Sequence, residues 1–219
     1  MRSNFIEVNN ITYSYQKNKI FNNASVNFQK DNISFLIGPN GSGKTTLTKL
    51  ILGILKLKDN HGRILVNGVN INSYNLAGIG QRIGYLFQNP DKQLFNPTVK
   101  DELHFYNKYV STNKANYEMD VIKLLQLDNI MNHKVINLSE GEKRRLALAC
   151  IMQMKPQYLI LDEPSSGLDN ENKEKLTGIL HALKKEYFIG SLIISHNKFF
   201  INNLADDIYK IKDEKIEHE

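Results

Sequence analysis

Gly38-Pro39-Asn40-Gly41-Ser42-Gly43-Lys44-Thr45-Thr46 is the stretch from which the rest of this sequence can be read. An apolar run, Ile33-Ser34-Phe35-Leu36-Ile37, precedes it, and a helical pattern from Leu47 to Leu55 follows. Strand, glycine-rich turn and helix, with the G-x-x-x-x-G-K-[ST] spacing complete, form the context of a phosphate-binding loop. Glycines let the backbone curl so that successive N–H groups point at phosphate oxygens. A helix beginning near Lys44 aims the positive end of its dipole at the same point. Lys44 reaches the phosphates as a point charge, and Thr45 offers a hydroxyl to Mg²⁺.

The bulk numbers bound what can surround such a loop. A chain of 219 residues suits one large α/β domain or a domain with a sizeable insertion. With 41% hydrophobic and 23% charged residues it reads as globular. Apolar runs such as Tyr158–Leu161 and Leu192–Ile194 are strand-length, so no membrane span is expected. Met1-Arg2-Ser3-Asn4-Phe5 lacks the apolar core of a signal peptide, which makes a cytosolic protein the expectation. The single cysteine, Cys150, sits in an apolar run and is expected to be a buried, inert thiol. The formal net charge of +5 permits a nucleic-acid or acidic-membrane partner. Lysines are spread along the whole chain, however, and the densest basic run, Lys143-Arg144-Arg145, has Glu140 and Glu142 beside it. The excess is therefore read as solvated surface with a docking contribution, and no nucleic-acid partner is expected.

Working outward, Phe5 to Tyr15 alternates as a strand, Gln16 to Lys19 turns, and Phe21 to Phe28 returns. Asn67-Gly68 between Arg63–Val66 and Val69–Ile71 is a hairpin signal. Ile83–Phe87 reads as a buried strand ending at Gln88. Val99 to Tyr109 and Tyr117 to Leu127 then read as amphipathic helices, and no strand pattern returns before Gln157. A helical insertion from about Asp91 to Met154 in an α/β body follows. Tyr158–Leu161 is a strand, Asn170 to Tyr187 a helix with Asp169 as N-cap, Phe188–Ser195 a strand, Lys198–Leu204 a short helix, and Ile208–Ile211 with Lys215–Glu217 a final hairpin.

Chemistry collects at the strand ends, where open α/β sheets bind ligands. Asp162 and Glu163 close one apolar strand: the first suits a metal held through water, the second a base that positions the attacking water. Gln88 closes another strand; an amide there can touch metal or water, although by itself it reads as an ordinary loop residue. His196 closes a third and could donate to a terminal phosphate. His61, His104, His133, His181 and His218 have no ligand spacing and read as surface residues. Ser139 with Glu142 three residues on is a capping box, and Gly141 leaves the helix N-terminus bare enough for an anion to approach.

Together these residues resemble the ATPase subunit of ABC transporters over nearly the whole chain. Gly38–Thr46 (Gly38, Pro39, Asn40, Gly41, Ser42, Gly43, Lys44, Thr45 and Thr46) is similar to Walker A, Gln88 to the Q-loop and Leu138-Ser139-Glu140-Gly141-Glu142 to the LSGGQ signature. Leu159–Glu163 is similar to Walker B, Ser166-Gly167-Leu168-Asp169 to the D-loop and His196 to the switch histidine. Tyr15, in preference to Tyr13, lies where the family keeps an aromatic that stacks on adenine. The run Phe87-Gln88-Asn89-Pro90-Asp91-Lys92-Gln93-Leu94-Phe95 resembles energy-coupling factor ATPases, the cobalt, nickel and biotin-type importers.

The resemblance implies an α/β P-loop NTPase core with an N-terminal antiparallel β subdomain and an inserted α-helical subdomain. Residues 1–90 and 155–219 would form the RecA-like core with the β subdomain, and 91–154 the helical signature subdomain, all within one ABC ATPase domain. ATP and Mg²⁺ are the implied cofactors, with Thr45, Gln88 and Asp162 toward the metal and Glu163, Gln88 and His196 catalytic. It implies a head-to-tail pair of ATPase subunits, in which ATP on one Walker A is completed by Ser139 and Gly141 of the other and Asp169 couples the two sites. It also implies a transmembrane coupling subunit, a membrane substrate-binding subunit and a peripheral place on the cytoplasmic face of the membrane. An exporter subunit, or a soluble ABC ATPase acting on ribosomes or DNA, is the alternative.

Two departures matter. Glu140 stands where the signature usually has glycine, and Glu142 where glutamine is commonest. Carboxylates there oppose a phosphate; Glu142 can fold back onto Ser139, whereas Glu140 is expected to point to solvent and to weaken binding in trans. The chain also ends at Glu219, soon after His196, so the C-terminal dimerisation region of many energy-coupling factor ATPases is not expected, and homodimer against heterodimer stays open.

Overall fold

The computed structural model describes residues 4–107 and 115–219. β1 (Asn4–Tyr15) and β2 (Asn18–Gln29) form a long hairpin, β3 (Ile33–Ile37) feeds the phosphate loop, and α1 (Lys44–Ile51) leaves it. β4 (Arg63–Val66), β5 (Val69–Asn70), α2 (Leu76–Gly80) and β6 (Ile83–Leu86) follow. Three helices come next: α3 (Val99–Asn107), α4 (Ala115–Leu124) and α5 (Glu140–Gln153). The chain closes with β7 (Tyr158–Asp162), α6 (Asn170–Tyr187), β8 (Ser191–Ile194), α7 (Lys198–Leu204), β9 (Asp207–Lys212) and β10 (Lys215–His218).

These strands make two sheets, an antiparallel one of order β2-β1-β4-β5 and a six-stranded one of order β10-β9-β3-β8-β7-β6. In the larger sheet every neighbouring pair is parallel except β9 with β10. Parallel strands buried on both faces need near-continuous apolar runs, which is how β7 and β8 read. Their period of two divides the core. Leu159, Leu161 and Ile193 face one cluster with α3 to α7, while Tyr158, Ile160, Leu192 and Ile194 face the other, with β1, β2, β4 and α1. Because β3, β8, β7 and β6 run the same way, their C-terminal ends share one edge, where the phosphate loop, Ser195, Asp162 and Phe87 emerge side by side.

Helix α5 packs against β6 of that sheet. Gly84 on β6 makes the approach possible, since a Cβ there would collide with Ile151. Ser139 is the N-cap of α5, and its reciprocal capping box with Glu142 is complete. Asp169 likewise caps α6 through Asn172.

Several expectations shift. α1 ends at Ile51 rather than near Leu55, because Gly53 takes φ 67° and the Ile54 and Leu55 amides turn back to the Lys49 carbonyl. Phe188, expected in a strand, has φ 54° and closes α6. The helix expected to Leu127 stops at Leu124, ahead of Gln126 at φ 53°. The expected end of the preceding helix at Tyr109 lies outside the described residues. Cys150 is buried at 1% exposure, and burial pushes its thiol up, as an inert core thiol requires. The basic run departs most from its reading as solvated surface: Arg144 is 2% and Arg145 9% exposed, and Lys143 pairs with Asp91 at 2.8 Å. None of the three is a free surface charge.

Candidate active site

The phosphate loop is held in a shape that only glycine supports. Gly43, the N-cap of α1, has φ 111°, and a Cβ there would sit 2.6 Å from Ile20 Cγ2 on β2. α1 therefore starts with no side-chain cap and no acidic residue in its first turn, so its free N–H groups and dipole are left for an anion. Lys44 Nζ donates to the Gly38 and Pro39 carbonyls at 2.6 and 2.9 Å, bracing the loop from inside. Burial lowers the Lys44 pKa, and Glu163 and Asp162 oppose that shift, which places both acids within electrostatic reach of the loop lysine. Ser42 Oγ is buried without a partner among the described residues. A loop with an orphan hydroxyl, an uncapped helix start and a cation fits a phosphate chain. Pro39, Asn40, Gly41 and Thr45 are exposed and Thr46 is buried.

At the end of β7, Asp162 accepts a hydrogen bond from Tyr85 on the neighbouring β6 at 3.1 Å. Burial raises the Asp162 carboxyl, and the Tyr85 hydroxyl and Lys44 pull it back. Glu163 is raised by burial first; His196, a Ser195 hydrogen bond and Lys44 offset this, and Asp162 adds to it. His196 and Glu163, distant in sequence, are thus neighbours because β7 and β8 are paired, Asp162 opposite Ile194. Glu163 has φ 46°, a left-handed conformation rare for a side-chain-bearing residue. A carboxylate raised toward neutrality, in a strained turn beside a histidine, suits a base. Among the described residues no cluster of three or more His, Cys, Asp or Glu could hold a metal by itself. Oxygen donors from Thr45 and Asp162 fit Mg²⁺, which commonly takes one or two protein oxygens plus substrate phosphates.

The other predicted residues fall into separate groups. Tyr15 is 43% exposed with its ring edge-on to Tyr13, centroids 5.2 Å apart. Gln88 is exposed, and its carbonyl accepts from Arg144 at 3.3 Å. Ser139 and Glu142 close on each other: the Ser139 amide and Oγ donate to Glu142 Oε2 at 2.8 and 2.7 Å. Gly141 is buried, not bare to an approaching anion, and the place of its absent Cβ is taken by Asn172 Oδ1 at 2.5 Å. Asn172 in turn binds Asp169 and Arg145. Glu140 does not simply face solvent, since it pairs with Arg144 at 3.0 Å across one helical turn. Among the described residues no hydrogen bond or ion pair joins Ser139, Gly141 or Asp169 to the phosphate loop of the same chain.

Four contributors were not legible beforehand. Tyr85 and Arg144 are two. Gln93 is a third: its amide donates to Tyr85 O and accepts from Phe87 N, at 3.0 and 2.8 Å, extending the strand ladder beyond β6. Glu102 is the fourth, fully buried and accepting from the Phe95 and Asn96 amides at 2.8 and 2.6 Å. Together Gln93 and Glu102 fix the ends of the Phe87–Phe95 run and leave Phe95 74% exposed. For Gln93 the signal was its place in the F-Q-N-P-D-x-Q-L-F pattern; Glu102 lies beyond that run, in α3, and had none.

A phosphate loop at the head of β3, with acids and a histidine on adjoining strand ends, defines a P-loop nucleoside triphosphatase. The ABC transporter family model matches residues 21–166. The chain belongs to that family, whose members bind ATP and generally require Mg²⁺, and it is an ATPase subunit. It is 36% identical over 214 residues to a protein of Pyrococcus horikoshii named as an ABC transporter ATP-binding protein, covering 95% of this chain and 80% of that one. It is 35% identical over 218 residues to the energy-coupling factor transporter ATP-binding protein EcfA1 of Ligilactobacillus salivarius, covering 97% and 76%. CbiO1 of Clostridium perfringens, part of the ABC transporter complex CbiONQ, superposes with a TM-score of 0.90 at 26% identity, covering 98% of this chain and 87% of that chain. Among the described residues no helix is long and apolar enough to cross a membrane.

Proposed function

We propose that this chain is the ATP-hydrolysing subunit of a membrane importer of the energy-coupling factor type, for a vitamin or a transition-metal ion. The observation that carries this reading is the Phe87–Phe95 run, tied down by Gln93 and Glu102 so that exposed Phe87 and Phe95 flank Gln88. Exposed aromatics on a rigid loop beside the catalytic edge suit a docking surface for a transmembrane coupling subunit. Likeness to EcfA1 and CbiO1 supports the same reading. A further membrane subunit would select the substrate, and the chain would sit peripherally on the cytoplasmic face.

In this reading Gly38 to Thr46 cradle the phosphates, Tyr15 stacks on adenine, and Thr45, Gln88 and Asp162 would hold Mg²⁺, which would neutralise phosphate charge. Glu163 accepts a proton from the attacking water while Gln88 orients that water and His196 donates toward the terminal phosphate. Residues 91–154 act as a helical subdomain within the one ABC domain, hinged on a core of 1–90 and 155–219. Ser139, Gly141 and Asp169, which among the described residues form no hydrogen bond or ion pair with their own phosphate loop, complete the site of a second ATPase subunit packed head to tail. ATP then favours the closed pair because only that state contacts it from both sides.

The test is affinity capture of the tagged chain from membranes, with ATP hydrolysis assayed on the product. The expected result is a transmembrane partner together with a small substrate-binding membrane protein, and loss of hydrolysis in Glu163→Gln. Recovery of ribosomes, of nucleic acid or of the chain alone would overturn the importer reading.

A further inference from the structure

The buried arginine of the signature helix, Arg144, has no place in the reading above. The residue is 2% exposed, and its guanidinium reaches four acceptors: Glu163 O at 3.0 Å, Pro164 O at 2.5 Å, Gln88 O at 3.3 Å and Glu140 Oε1 at 3.0 Å. Three of these are main-chain carbonyls from the loops after β6 and β7. The single carboxylate, Glu140, is 45% exposed at its side chain, so the buried charge is met chiefly by the loop carbonyls. Only a planar fork with two terminal nitrogens can span such a set, and an ammonium cannot; Nε is buried without a partner among the described residues.

What the fork holds is the turn that carries the base. Glu163 is kept at φ 46° by its own amide, which donates to Ile194 O at 2.8 Å, and by its carbonyl, which accepts from Arg144 and from Ser166 N. Strain of this kind persists only when the surroundings over-determine it. The β8 side fixes one face of the Glu163 residue, and Arg144 fixes the other. The same guanidinium ties Gln88 and the N-terminal turn of α5, through Glu140, into one unit.

The geometry points to Arg144 as a positioning residue for ATP hydrolysis, which clamps the Glu163 turn and the Gln88 backbone to the start of the signature helix. This rests on Glu163 being the base. Movement of the α5 N-terminus, such as a nucleotide contacting Ser139 from a second subunit would cause, is then transmitted to the base through one side chain.

Steady-state ATP hydrolysis and mant-ATP titration of the full chain would be compared for wild type, Arg144→Lys, Arg144→Ala, Glu163→Gln and Arg144→Lys/Glu163→Gln, with thermal melts of each. Lysine keeps charge and stem and protects the fold. Its expected effect is a fall in kcat of about ten- to a hundredfold, the scale of a misplaced catalytic group, with nucleotide affinity and melting temperature little changed. Millimolar guanidinium is expected to restore part of the rate of Arg144→Ala and none of that of Glu163→Gln. The double variant is expected to be no slower than Glu163→Gln. An unchanged kcat in Arg144→Lys, a loss tracking equal losses in affinity or melting temperature, or a multiplicative loss in the double variant would each overturn the proposal. Wild-type hydrolysis in Glu163→Gln would instead overturn the base assignment beneath it.

Discussion

The N-termini of α1 and α5 are both places where an ATPase of this family could meet phosphate, and they are built in opposite ways. α1 opens on Gly43 with no side-chain cap and no acid in its first turn. α5 opens on Ser139 with a full capping box and carries Glu140 and Glu142 in its first turn. The donors of α1 are left unsatisfied by the protein and wait on an anion; at α5 the Ser139 hydroxyl already takes the Glu142 amide, and the Glu142 carboxylate takes the Ser139 amide and hydroxyl. One terminus is ready for a ligand in cis. The other is closed on itself, and a phosphate reaching it has to compete with Glu142 for the Ser139 hydroxyl and with the charge of Glu140.

The contrast can be broken most strongly at the open end. Glu163→Gln is expected to lower hydrolysis by about 10²–10⁴-fold, the range for a general base, while mant-ATP still binds. Burial raises the Glu163 carboxyl. A carboxyl raised on folding favours stability at low pH and loses that contribution as pH rises, so the amide is expected to leave the melting temperature at neutral pH unchanged or higher. For the same reason the acid limb of kcat/KM is expected above the ordinary carboxylate range, with activity falling as pH drops through it.

Gly43→Ala comes next. Its Cβ would lie 2.6 Å from Ile20 at φ 111°, and strain of about 1–3 kcal/mol is expected to lower both the melting temperature and mant-ATP affinity. An unaffected affinity would mean that the α1 start is not the phosphate seat.

At the closed end effects are smaller. Ser139→Ala removes the cap and is expected to destabilise by about 1 kcal/mol, a drop in melting temperature of about 2–4 °C for a chain of this size. Glu140→Gly is expected to strengthen ATP-driven pairing, measured by gel filtration in the Glu163→Gln background, by severalfold at most, because an exposed charge is worth about 1 kcal/mol or less; unchanged pairing would remove the idea that this acid opposes the trans phosphate. The smallest effect is expected from Glu142→Gln, since glutamine also completes the box. The Ser139 hydrogen bonds hold the Glu142 carboxyl below its ordinary value. That contribution is present above the unfolded-state pKa and lost as pH falls through the depressed folded one, so the glutamine variant is expected to lose this part of the acid sensitivity of unfolding.

Much of this site was legible because it is written in short range. The phosphate loop, the Ser139–Glu142 box and the Asp169 cap each need only a few consecutive residues and a backbone rule. The strand-end acids were legible because an apolar run stops at Asp162. Lys143-Arg144-Arg145 was misread for the converse reason. Their local sequence is charged and looks solvated, and only tertiary packing buries Arg144 against the carbonyls of the loops after β6 and β7, and Arg145 against the Leu125 carbonyl after α4 and Asn172 on α6. Gly141 was read as a bare helix start, yet α6 brings Asn172 against it. Gln93 behaves as a piece of backbone, which no side-chain pattern announces.

The sequence by itself therefore determined the class of chemistry, the order of the elements and the caps at which helices begin, since these depend on hydrogen bonds and dihedral preferances spanning a few residues. Only the tertiary structure decided which strand ends meet, that Tyr85 would hold Asp162, and that one buried guanidinium would join the signature helix to the turn of Glu163. Those contacts link residues from about 19 to 77 positions apart in the chain: the register of the parallel sheet brings Tyr85 to Asp162, and the packing of α5 on that sheet brings Arg144 to Glu163, both set by the buried surface as a whole.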